Sequence, residues 1–147
     1  TIPLVYASLN VSTVALGLPA GILADKIGKA RVLGLSYSVF LCTSIAGMYL
    51  AGNPIYGFLL AVLFGGYTAI AETVQRAIVP DYAKSELKGT AYALYYTLIS
   101  VCTLAANSIF GALWSMFSPN TAFQYSIVTS TIGLVALTIF LVKAESS

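Results

Sequence analysis

The chain has 147 residues, of which 59% are hydrophobic and 8% charged, with seven Lys or Arg against five Asp or Glu and a mean hydropathy of +0.89. A soluble domain carries about 25% charged residues, so this composition excludes a water-soluble globular protein. With no basic stripe on a solvated face it also gives no support to a nucleic-acid partner. The class that remains is an all-α, polytopic transmembrane helix bundle whose exterior faces the lipid bilayer.

A helix rises about 1.5 Å per residue, so crossing a hydrocarbon core of about 30 Å takes roughly 20 apolar residues. Five such runs follow one another, at about residues 3–24, 30–51, 54–79, 85–117 and 121–143. Pro3 suits a first helical turn, and Pro19 predicts a kink near the far end of the first span. Gly52, Asn53 and Pro54 stop the second span, Pro80 and Asp81 the third, and Ser118, Pro119 and Asn120 the fourth. Thr1 leads almost directly into an apolar run with no basic segment or cleavage site, which predicts an internal piece of a longer protein. Cys42 and Cys102 both lie inside apolar runs and read as small lipid- or core-facing residues.

The loops set the orientation, because short loops rich in Lys and Arg stay on the cytoplasmic side. Lys26, Lys29 and Arg31 follow the first span, Arg76, Lys84 and Lys88 flank the end of the third, and Lys143 ends the fifth. The second and fourth loops carry no charge. Alternation over five spans therefore puts every basic residue on one face, expected to be cytoplasmic, in an integral membrane protein.

The first loop, GILADKIGK at residues 21–29, holds the densest charge. Gly21 and Gly28 supply backbone freedom or close approach, Asp25 can cap a helix start or accept from backbone amides, and Lys26, Lys29 and Arg31 can meet lipid phosphates or helix ends. A topology-setting turn would account for this much. The order Gly21-x-Leu23-Ala24-Asp25-Lys26-x-Gly28-Lys29-x-x-Val32-Leu33 is more specific. It closely resembles the signature loop of the major facilitator superfamily, G-x-L-a-D-[RK]-x-G-[RK]-[RK]-x-x-[LI]. Ala30 departs from that pattern, with Arg31 one place later. ETVQRAIVPD at 72–81 and ELKGTA at 86–91 also resemble the end of the family's tenth helix and the start of its eleventh.

The resemblance implies that residues 1–147 are a partial C-terminal transmembrane half, helices eight to twelve of twelve, in the inner membrane of a prokaryote. Its partners would be a small-molecule solute, the bilayer and the missing N-terminal half of the same transporter. No cofactor or metal is implied. In the family the signature Asp joins charge contacts that latch helix ends in one state and release them in another. Carried over, Asp25 is the acceptor, Arg76 its donor, and Glu72, one turn from Arg76, orients it. A static pair anchoring the helix end is the plainer reading of Glu72 and Arg76, since charges at depth cost from about 2.5 kcal/mol upward and seek a partner or water.

The fourth span carries Tyr92, Tyr96, Ser100, Thr103 and Asn107 on one face, and the first carries Tyr6, Asn10, Thr13 and Gly17. Such stripes line either a helix contact or a watery path. In the transporter reading Asn10, Tyr67, Tyr96, Ser100 and Asn107 become candidate substrate contacts. There is no histidine, so Ser-His hydrolysis and most metal sites are unsupported, and no phosphate-binding loop suggests ATP drive. Glu72 is the one carboxylate expected within a span, and a proton relay in this piece would need it. The expected function is non-enzymatic secondary transport by alternating access, with a non-transporting membrane scaffold or oligomer-forming half-protein as the alternative.

Overall fold

A computed structural model of the chain describes residues 2–50 and 54–145. The helices are α1 (Ile2–Ile27), α2 (Lys29–Leu50), α3 (Pro54–Ile78), α4 (Lys88–Met116) and α5 (Pro119–Glu145), with 3-10 turns at Val79–Asp81 and Ser85–Leu87 between α3 and α4. All five are long and apolar enough to cross a membrane. Residues 52 and 53 of the second loop lie outside the described residues.

Helix ends follow local chemistry more closely than the apolar runs do. Gly28 takes φ +97°, a conformation that disfavours any side chain, and so ends α1. Its N–H still bonds to Ala24 O at 3.0 Å while its own carbonyl accepts from Val32 N–H at 3.2 Å, so one residue joins α1 to α2. Asp25 therefore sits inside the last turn of α1 and does not cap a helix start, because the helix runs on to the glycine. Ser118 breaks the chain together with Pro119 and Asn120, yet its Oγ accepts from Thr121 N–H at 3.2 Å. It caps α5, and Pro119 occupies the first helical position, where a missing N–H costs nothing.

Two packings hold the bundle. In the first, α3 lies parallel against α1 and also against α2. Gly65 allows the approach: a Cβ there would stand 2.6 Å from Leu9 O and 2.9 Å from Ser12 Cβ. Thr13 Oγ1 meets Gly65 O across the contact at 3.3 Å, the small-residue, hydroxyl-bonded interface that suits helices in lipid. In the second, α2 packs against α5, which also carries α4. The core lies near the charged end, where Ala24, Val32, Leu33 and Val74 are buried and Ile78 and Leu137 close over them. That core fixes the loop between α1 and α2 beside the end of α3. None of α4's membrane-spanning window is buried, in contrast to the same measure for α2 and α3.

Candidate functional site

The last turn of an α-helix leaves carbonyls without an intrahelical donor. Ala77 O is one of these, and Lys29 Nζ donates to it at 2.8 Å. The same ammonium pairs with Asp81 Oδ2 at 2.6 Å. Lys29 opens α2 immediately after Gly28, so the turn that glycine permits is what aims the lysine at α3. A cation is favoured at the negative end of a helix dipole, and Asp81 adds a full charge to the same spot. Asp81 lies outside the site residues that the sequence alone points to. Its place directly after Pro80, where the helix must stop, was the available signal.

Arg76 Nη2 donates to Glu72 Oε2 at 2.8 Å along α3, with both side chains about half exposed. The expected approach of Arg76 to Asp25 is not made. Arg76 is turned toward α4, where its guanidinium carbon stands 5.9 Å from the centroid of the Tyr96 ring. Asp25 is on α1, one turn past the Gly21 that faces Thr73 on the other flank of α3. It is exposed and belongs to neither ion pair. Lys26 is exposed beside a shallow surface groove with Leu18, Pro19 and Ile22, and Arg31 is exposed in the first turn of α2.

A groove of about 770 Å³ opens between α2, α3, α4 and α5. Glu72 and Gln75 line its charged end; Tyr67, Thr103 and Asn107 lie deeper, and Phe110 and Phe123 line the far end. Phe40 and Tyr67 rings lie 4.6 Å apart, and Phe110 meets Phe123 edge to face at 5.7 Å. Of the five nominated substrate contacts, Tyr67 and Asn107 reach this space. Asn10 does not, because α3 stands between α1 and the groove; its amide donates to Tyr6 O at 2.8 Å. Tyr96 and Ser100 are exposed and outside the groove's lining. Among the described residues no cluster of His, Cys, Asp or Glu is suited to a metal ion.

The sequence profile of the Major Facilitator Superfamily matches residues 1–147. The chain belongs to this superfamily. It is also 34% identical, over 133 residues, to an uncharacterized MFS-type transporter of Methanocaldococcus jannaschii. That alignment takes in 90% of this chain and 33% of the relative, so the chain spans about one third of the relative's length. No solved structure matches it. As a superfamily member it is an integral membrane protein of a transporter family, and its signature loop is the one whose Lys29 caps α3.

Proposed function

We propose that this chain is part of a secondary active transporter that moves a small solute by alternating access, together with the remainder of a longer polypeptide. Superfamily membership and the transporter relative support transport in general. The observation that carries the finer reading is the Lys29 clamp. One signature-loop cation ties the α1–α2 turn to the end of α3, so that these three helix ends move as one block. Rocking of rigid helix blocks about a central site is how such transporters change access.

Asp25, exposed beside that block, is the acceptor for a partner in the rest of the transporter, engaged in one state and released in another. The charged end faces the cytoplasm, as the clustering of Lys and Arg there suggests. Solute contacts come from the polar faces of α3 and α4. The test is uptake by the complete protein in vesicles across a panel of neutral and amphipathic solutes, with a proton uncoupler to reveal coupling. Folded protein that moves none of them at any gradient counts against the reading.

A further inference from the structure

Beyond the connection that joins them, the backbones of α3 and α4 run apart, and the groove lies between them. At its charged end they are nevertheless held together by side chains. Tyr92 OH donates to Arg76 O at 3.0 Å, satisfying another carbonyl in the last turn of α3. Tyr95 OH donates to Gln75 Oε1 at 3.0 Å, and Gln75 is itself part of the groove wall. Tyr96 completes the cluster, edge-on to Tyr95 at 5.1 Å and within reach of the Arg76 guanidinium.

We propose that Tyr92 and Tyr95 are positioning residues that tether α4 to α3 and hold the charged end of the groove shut. Three features support this. The two hydroxyls are one turn apart on one face of α4 and reach adjacent residues of α3, so they act across a single seam. Beyond the turn at Val79–Asp81 and the Tyr96–Arg76 approach, α3 and α4 pack little against each other, so few contacts mask loss of the bonds. Arg76 also links the seam to Glu72, which places a charge pair at the opening. The tether deepens the transport reading by naming where α4 separates from α3, but its test does not depend on flux.

The test uses the full-length protein in membrane vesicles, with Cys42 and Cys102 replaced by Ala and Thr103→Cys as the reporter inside the groove. The probe is a small membrane-impermeant thiol reagent added on the side that bears the charged loops. One ordinary hydrogen bond shifts an opening equilibrium by about fivefold, so Tyr95→Phe and Gln75→Leu should each raise the labelling rate by about that factor. The double variant should label no faster than either single, since both remove the same bond. Tyr92→Phe should raise the rate through the second bond, and Tyr82→Phe, which alters an exposed ring outside the seam, should leave it unchanged. Unchanged labelling in Tyr95→Phe and Gln75→Leu overturns the tether, as does a double variant that simply adds the two effects or an equal rise in Tyr82→Phe. If the tether holds while no solute moves, the seam stands and the transport reading fails.

Discussion

Lys29 and Asp81 are 52 positions apart in sequence and 2.6 Å apart in space. The ion pair alone would contribute little where water reaches it. Its value lies in the second bond, to Ala77 O, which makes the lysine a cap for α3 supplied by another helix. Removing the lysine loses both contacts, whereas removing the aspartate loses one.

Lys29→Ala should therefore destabilise the complete protein by about 1–2 kcal/mol, and Asp81→Ala by less than half as much. Thermal unfolding in detergent reads both, and the double variant should fall no further than Lys29→Ala. A larger loss in Asp81→Ala than in Lys29→Ala would show that the carboxylate, and not the helix end, is what the lysine serves.

The contact between α1 and α3 gives a second expectation. Gly65→Ala puts a methyl group 2.6 Å from Leu9 O, where backbone must yield, and should cost about 1–3 kcal/mol. At Gly57 the added methyl meets nothing within 4 Å, so Gly57→Ala should be neutral or gain up to about 1 kcal/mol from helix propensity. Yield of folded, monodisperse protein after heating separates the two. Equal behaviour would mean that α1 and α3 do not approach this closely.

Lys29 and Asp81 also mark how far the sequence reaches. The five spans and their common charged end were legible because a bilayer imposes a minimum length of apolar helix and a bias on loop charge, both local properties of the chain. The signature loop was legible as a pattern of residues. Its partner was not, since Asp81 and Ala77 come to Lys29 only through the packing of α3 on α1 and α2. The same holds for Arg76: spacing gave its bond to Glu72, but which way it faces depends on α4, and so the expected contact with Asp25 is absent. Helix ends were missed where one residue does two jobs, as Ser118 does in ending a loop and capping α5.

The Glu72 and Arg76 pair at the edge of the groove leads to a third expectation. Arg76→Ala leaves the half-exposed Glu72 carboxylate without its donor at the edge of the groove, where a charge needs a partner or water. Glu72→Gln on top of Arg76→Ala should recover part of the lost stability or expression. A double variant as poor as Arg76→Ala would mean that the carboxylate is already well solvated.

Gly28 offers a fourth. At φ +97° an alanine carries backbone strain of about 1–2 kcal/mol and would shift the residue that aims Lys29. Gly28→Ala should therefore lose thermal stability and, through Lys29, should mask much of the effect of Asp81→Ala. Strict additivity of Gly28→Ala with Asp81→Ala would separate the turn from the clamp.

Solute flux through the complete protein is the most direct reading of the latch proposed for the charged end. Uptake above empty vesicles should fall at least tenfold in Asp25→Asn while the amount of folded protein holds. Folded Asp25→Asn protein with undiminished flux would contradict it.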